Sequence, residues 1–409
     1  MPRVLLLLPT TSYRTPDFLA AASALGLDVT VASEEANTME RLNPSGLLTL
    51  DFGDLAACGD RVVAFAAATP LDAVLGVDER TAVAAAAIAA RLGLPHPSVA
   101  AVAAAGNKAV MRERLAQAGV ASPRHRLFSR MADPRVAGRG VGYPCVLKPT
   151  FLAASRGVIR ADDASQFVAA WERIARILAE PAVAKRGGAA AAEILVEDFV
   201  AGEEVALEGL LTGGELRVLA LFDKPDPLDG PFFEETIYVT PSRHAAAVQR
   251  GCADATAAAA RALGLREGPI HAELRVDGPR VCVIEIAARS IGGLCSRTLR
   301  FGMGMSLEEL ILRHALGREI PGAEREAAAA GVMMIPIPGA GILQEVGGLD
   351  AARAVPGIEE VTISARVGSR LVPLPEGDRY LGFIFSRAAT PERAEAALRE
   401  AHARLEFRI

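Results

Sequence analysis

Apolar runs and amphipathic stretches alternate along the first hundred residues. Arg3 to Pro9 is a continuous apolar run, the pattern of a strand covered on both faces, and a helical stretch follows around Asp17 to Leu25. A second strand pattern, DVTVASE, comes next. The alternation recurs where LDAVLGVDE, a strand ending in acidic residues, runs into TAVAAAAIAARLGL, an alanine-rich helix beginning at Thr81. The pattern predicts an α/β domain over residues 1–105.

From residue 106 the topology changes. GNKAVMRERLAQAGV reads as a helix stopped by Gly119, and PRHRLF and GYPCVLKPT read as strands with turn chemistry between them. A helix from about Ala164 to Ala179, the low-complexity RGGAAAAE and the strand ILVEDFV follow; VALEGLLTGGELRVLALF is then a hairpin turning at Gly213 and Gly214. Prolines, glycines, charges and aromatics between Asp223 and Thr240 predict an irregular, ligand-facing loop. Past a helix over His244 to Leu263, HAELRVDGPRVCVIEIAAR predicts a second hairpin and Leu307 to Gly317 a further helix. Residues 106–320 make a central domain. From about Pro321, short strands, turns and a closing helix at Pro391 to Leu405 predict a separate small α+β unit, 321–409.

Composition narrows the function classes. A net charge of -5 provides no basic field for a phosphate backbone, so nucleic acid is not an expected partner. The five cysteines are far apart and form no C-x-x-C pair, which signals neither zinc nor disulfides and fits a reducing cytoplasm. RVLLLLPTT is too short to span a bilayer and lacks a small-residue cleavage site; it reads as a buried strand, with no membrane partner.

The strongest chemical signal is the second hairpin. Ala272, Leu274, Val276, Cys282, Ile284 and Ile286 alternate toward a core, which turns Glu273 and Glu285 to the other face. With a three-residue loop, Gly278, Pro279 and Arg280, Asp277 pairs with Val281 and Glu273 falls opposite Glu285. Two facing carboxylates repel unless a cation neutralises them, and their hard oxygens suit Mg²⁺. The plain alternative is two solvated acids on an exposed face.

Other residues carry weaker signals, each with a plain structural alternative. Arg289 and the amides of Gly292 and Gly293 in SIGGLC form an anion trap, or an ordinary glycine turn. Lys148 stands on a strand otherwise built for burial, or snorkels at a sheet edge. LAASRGV, with Ser155 and Gly157, has the small residues of a flap closing over phosphates. In ILVEDFVAGEEV the groups at Glu197, Phe199 and Val200 suit an adenine edge and Glu204 a ribose, or the acids are simply on a surface turn. No P-loop, complete G-x-G-x-x-G, H-E-x-x-H or G-x-S-x-G occurs. Of the histidines, His271 alone shares the face of Glu273.

Taken in order, the lysine of GNKAVMRERLAQAGV, the lysine of YPCVLKP, the loop ASRGV, the hinge VEDFVAGEEV and the pair HAEL and VIEIAAR resemble the ATP-grasp superfamily. Residues 1–105 look like its Rossmann-like pre-ATP-grasp domain, 106–320 like the ATP-grasp domain, and the tail, GVMMIPIPGAGIL to PLPEGDRYLGFIF, like the C-terminal domain of L-amino acid ligases similar to bacilysin synthetase. The resemblance implies an ATP-grasp fold of mixed α/β and α+β class. It also implies a carboxylate–amine ligase using ATP and Mg²⁺ or Mn²⁺ on small carboxylates and amines, and it allows a homodimer. Lys108 and Lys148 would meet the phosphates, with Lys148 also near adenine. Glu197, Phe199 and Val200 would take adenine and Glu204 the ribose, under the Ser155–Gly157 flap. Glu273 and Glu285 would hold the metal. Arg289 would contact the transferred phosphoryl group, Gly292 and Gly293 the carboxylate substrate, and Glu235 and Tyr238 the amino substrate. Arg289, Lys148 and Glu285 would be the catalytic set. One position departs: Ala287 stands where many ATP-grasp enzymes have an asparagine metal ligand. That departure leaves open a catalytically silent nucleotide-binding protein, and a thiol or hydroxyl acceptor is a second alternative.

Overall fold

The computed structural model describes all residues, 1–409. Its N-terminal layer is a parallel sheet of β1 (Arg3–Leu7), β2 (Asp28–Ser33), β3 (Leu47–Thr49) and β4 (Ala73–Gly76), ordered β3-β2-β1-β4. Because β1 is internal, both of its faces are covered. Val4 and Leu6 pack with α1 (Thr15–Ala24), while Leu5 and Leu7 pack with α2 (Leu55–Ala68) and α3 (Glu79–Leu92). The sequence pattern does not reveal β3 or α2, since β3 has three residues and α2 buries only Cys58, Gly59 and Val62. Asp78 caps α3, its side chain accepting from the Arg80 amide in a capping box with Thr81. This turn delivers Glu79 and Arg80 to the central cavity.

Helices α4 (Val99–Ala105) and α5 (Lys108–Gln117) lead into the second layer. The Asn107 side chain accepts from Ala109 and Val110, so Lys108 opens α5. A lid follows, built from β5 (His125–Ser129), α6 (Pro134–Ala137), β6 (Cys145–Lys148), β7 (Ile159–Ala161), α7 (Ala164–Ala179), α8 (Pro181–Gly187) and β8 (Glu193–Asp198). Its antiparallel sheet runs β5-β8-β6-β7, and α7 lays Phe167, Ala170, Trp171, Ile174, Ile177 and Leu178 against it. RGGAAAAE, read as low complexity, is the end of α8 and a 3₁₀ turn.

The third layer is an eight-stranded sheet. Its first five strands are β9 (Glu203–Thr212), β10 (Glu215–Asp223), β11 (Ile237–Thr240), β12 (Gly268–Asp277) and β13 (Arg280–Ala287), in the order β13-β12-β9-β10-β11. Helix α9 (Ala246–Leu263) covers one face and α10 (Leu307–Ala315) the other. Two expectations need correction here. The loop expected to reach Thr240 ends earlier, because Ile237–Thr240 pairs with Ala330–Met333. The C-terminal unit does not stand apart either: Ala329–Ile335, Gly382–Ala388 and Ile358–Ile363 continue the same sheet beyond β11. Their inward residues, such as Ile335 and Ile384, are fully buried, and that face would otherwise be open at β11. No helix is long and apolar enough to cross a membrane.

The lid is docked by two loops. The Gly157 amide donates to the Pro375 carbonyl at 2.8 Å, and Arg173 grips both oxygens of Glu376 at 2.5 and 2.8 Å. Arg160 donates from its backbone to Pro231 at 2.9 Å and from its side chain to the Asp229 carbonyl at 2.7 Å. A half-exposed pair such as Arg173–Glu376 is worth up to about 1 kcal/mol. Arg173→Ala should therefore speed amide exchange over 157–161 by up to about fivefold while leaving the global unfolding midpoint unchanged. Exchange equal to that of the parent protein would show that this pair does not hold the lid.

Candidate active site

The carboxylate pair forms, but by a different register. The β12–β13 turn has two residues, Gly278 at φ +58° and Pro279, so Asp277 pairs with Arg280 and Val276 with Val281. A bulge after Val283 inserts Ile284 and restores the pairing of Glu273 with Glu285. The carbonyl of Ile284 accepts from the buried Arg112 guanidinium. In consequence Val281, Val283 and Ile286 face the core, and Cys282 and Ile284, expected there, lie on the carboxylate side. Ile284 lines a cavity of about 350 Å³ between the three layers, a volume suited to a small-molecule site.

Each carboxylate already has cations. The Lys108 ammonium lies 3.2 and 3.1 Å from the two oxygens of Glu285 and donates to the Leu152 carbonyl at 2.9 Å. Glu273 meets Lys224 at 3.7 Å and His271 Nε2 at 3.5 Å. Burial opposes charge on Glu273, but Lys224, His271 and Arg289 outweigh it and hold the carboxyl below its ordinary range. His271 donates from Nδ1 to the buried Glu208, whose other oxygen accepts from the Ile291 amide at 3.0 Å. Against the cost of burial, Glu208 raises the imidazole to about 9. Two opposed carboxylates with hard oxygens, about a fifth exposed and open to the cavity, fit a divalent cation.

A second carboxylate group does not fit one. Oxygens of Glu204, Glu235 and Glu273 lie within 4.8 Å of one another, but the Lys224 ammonium occupies their midst. It is 2.7 Å from Glu204 and also donates to Glu235, and Glu204 takes Arg275 at 3.0 Å on its other oxygen. Tyr238 donates to Glu235 at 2.6 Å. Lys224 was not singled out in the sequence, where it is one charge in a proline-rich loop.

Lys148 is not an edge lysine. It lies in the interior strand β6, 5% exposed, and bonds Glu197 at 2.6 Å. Arg112 holds the other Glu197 oxygen at 2.7 Å. Burial drives the Glu197 carboxyl up, yet the two cations overcome this and bring it to about 2; burial and the neighbouring Arg112 lower Lys148. The Phe199 amide, expected at adenine, is spent on the Pro144 carbonyl at 3.2 Å, and its ring lies under Arg160 at 4.2 Å.

Arg289 pairs with Glu79 from the N-terminal layer at 3.2 Å. Gly293 has φ +59°, and a Cβ there would approach Phe383 to 3.0 Å, so the turn after Arg289 is closely fitted. The cavity collects Lys108, Lys148, Ser155, Glu197, Phe199, Val200, Glu204, Glu235, Tyr238, Glu273, Glu285, Arg289, Gly292 and Gly293. Gly157 is outside its lining, because its amide is tied to Pro375. Arg14, Arg112, Glu79, Lys224, Arg275, Tyr13 and Tyr380 went unrecognised in the sequence. Alternation on β12 placed Arg275 on the Glu273 face and is the one signal that could have found any of them.

The Glu197 cluster predicts an acid-side stability change. A folded carboxyl near 2 against an ordinary 4.5 contributes stability in full above pH 4.5, lost as pH falls toward 2. This group adds at most about 1.4 kcal/mol per pH unit there. Glu197→Gln should be less stable at neutral pH and show a shallower slope between pH 4.5 and 2 in urea titrations. An unchanged slope would remove Glu197 as its source.

Family comparisons agree with this layout. The ATP-grasp N-terminal domain matches residues 19–96, the ATP-grasp domain 141–298, and the L-amino acid ligase C-terminal domain 2 matches 333–409. The uncharacterized protein y4rH of Sinorhizobium fredii is 26% identical over 79% of this chain and 65% of its own length. The alanine–anticapsin ligase of Bacillus subtilis is 29% identical over 54% of this chain and 49% of its own length. The chain thus spans between about half and two thirds of these relatives. The crystal structure of an L-amino acid ligase from Bacillus licheniformis superposes with a TM-score of 0.86 at 27% identity, covering 100% of this chain and 98% of that one. The chain belongs to the ATP-grasp superfamily, with an L-amino acid ligase C-terminal domain closing its central sheet.

Proposed function

We propose that this protein is an ATP-dependent carboxylate–amine ligase that forms an amide or dipeptide bond through an acyl phosphate and releases ADP and phosphate. The observation that carries the reading is the facing Glu273–Glu285 pair, bracketed by Lys108 and Arg289 in one cavity. Residues 1–105, 106–320 and 321–409 are assigned as the pre-ATP-grasp, ATP-grasp and L-amino acid ligase-like domains, acting in the cytoplasm.

The chemistry follows from charge. An oxygen of the substrate carboxylate attacks the terminal phosphorus of ATP and the bond to ADP breaks. The amine nitrogen, having given up a proton, then attacks the acyl carbon, and phosphate leaves with the carbon–oxygen bond electrons. Mg²⁺, or Mn²⁺, held by Glu273 and Glu285 would neutralise phosphate oxygens. Lys108, released from Glu285, and Lys148 bind phosphate, with Ser155 over it. Ile284, Val200 and the Phe199 carbonyl border the adenine beside Glu197, and Glu204 lies toward the ribose. Arg289 bears the charge that spreads over the transferred group, and the turn at Gly292 and Gly293 seats the carboxylate. Glu235 and Tyr238 form the acceptor end, where the Glu235 carboxylate favours an ammonium over a neutral thiol or hydroxyl.

Substrate labelled with heavy oxygen in its carboxylate should pass one label to inorganic phosphate, with ADP as the nucleotide product. AMP and pyrophosphate would overturn the acyl phosphate. Glu285→Ala should abolish ATP turnover with the fold retained, whereas Arg289→Lys should lower turnover more than it weakens ATP binding. Nucleotide binding without ADP release on any pair of substrates would identify a silent binder.

A further inference from the structure

The deeper arginines in and behind the cavity each meet a carboxylate. Arg14 pairs with Glu308 at 2.9 Å, Arg112 with Glu197 at 2.7 Å, Arg275 with Glu204 at 3.0 Å and Arg289 with Glu79 at 3.2 Å. Three further cavity arginines, Arg80, Arg156 and Arg186, are matched less completely. Arg186 of α8 makes no ion pair within 4.0 Å, and its hydrogen bond goes to the Phe151 carbonyl at 3.2 Å. Arg156 of the flap pairs with Glu180 at 2.7 Å but leaves its buried Nε without a partner. Arg80, at the start of α3, approaches Glu34 only to 3.6 Å.

All three line the same cavity, although they come from the N-terminal layer and two parts of the lid. Burial, then the nearby Arg80, lowers the Arg186 guanidinium, with Arg156 adding to the effect. Two acids of the lining face them: Asp78, next to Arg80, and Asp378, which is 4.0 Å from Arg156 and also adjoins Tyr13. Tyr13 and Tyr380 flank Phe383, and Tyr380 neighbours Glu235, so this rim continues into the acceptor end rather than the hinge at Phe199.

A guanidinium fork matches one carboxylate, and one α-carboxylate does not need three. We infer that one substrate is an acidic amino acid, whose two carboxylates share Arg80, Arg156 and Arg186. This rests on the ligase reading above. ATP could supply an anion of the same kind, so the test separates the two sources.

Phosphate release with Mg-ATP would be measured for glutamate against glutamine and aspartate against asparagine, each paired with a panel of amino acids. Arg186→Gln and Arg80→Gln would be measured alongside the parent. The acidic member should be preferred by about tenfold or more in kcat/KM, and each variant should raise its KM about tenfold while KM for ATP stays within about twofold. Equal use of the acid and its amide overturns the inference. So does a rise in KM for ATP alone, which would assign the arginines to the triphosphate. If no pair releases phosphate, the ligase reading falls, and calorimetric titration with glutamate and glutamine still decides the rim: equal binding overturns it, and binding of glutamate that Arg186→Gln abolishes sustains it.

Discussion

Two carboxylates held face to face on adjacent strands are the constraint around which the site is built. Glu273 and Glu285 cannot both be charged in a half-buried position unless positive groups are brought to them. Those groups come from across the chain: Lys108 from the start of α5, Lys224 from the end of β10, His271 from β12 itself and Arg289 from beyond β13. Arg289 in turn reaches Glu79 of the N-terminal layer. Neutralising one strand pair therefore adds a polar tie between layers that already share a buried apolar core.

The hairpin shows what a sequence can and cannot say about such a site. Alternation correctly put the two glutamates on one face, opposite each other. The register came out right for the wrong reason, because a two-residue turn and a bulge at Ile284 give the same pairing as the three-residue loop expected from period alone. The difference is visible only in Cys282 and Ile284, which moved from the core to the cavity side. A bulge is fixed by what meets its exposed carbonyl, and here that is Arg112, 172 residues away.

Long-range partners account for most of what stayed hidden. The helices and strands of the lid and core follow from local period and caps, and Ala164–Ala179 came out with its observed ends. Lys224, Arg112 and Glu79 carry no local signal, since each gains its role only when folding delivers a carboxylate or guanidinium to it. Gly157 is the converse case. Its place in a small-residue loop suggested an amide free for phosphate, but the Pro375 carbonyl, more than two hundred residues on, has taken it.

That contact depends on the C-terminal strands continuing the central sheet instead of forming a detached unit. Because Ile358–Ile363 and Gly382–Ala388 are hydrogen-bonded into the sheet, the loop over residues 372–381 that leads into Gly382 is held at a fixed place over the cavity. A fixed loop can receive the lid through Pro375 and Glu376, and it places Asp378 and Tyr380 in the cavity wall. The buried Arg112–Glu197 pair anchors the inner end of the lid. The bonds that tie its outer part to residues 229–231 and 375–376 are few and partly exposed, which suits a segment that must open to admit substrates. Those that order the carboxylate pair are buried and multiply connected. Stability is concentrated where charge must stay fixed and kept small where the chain must move.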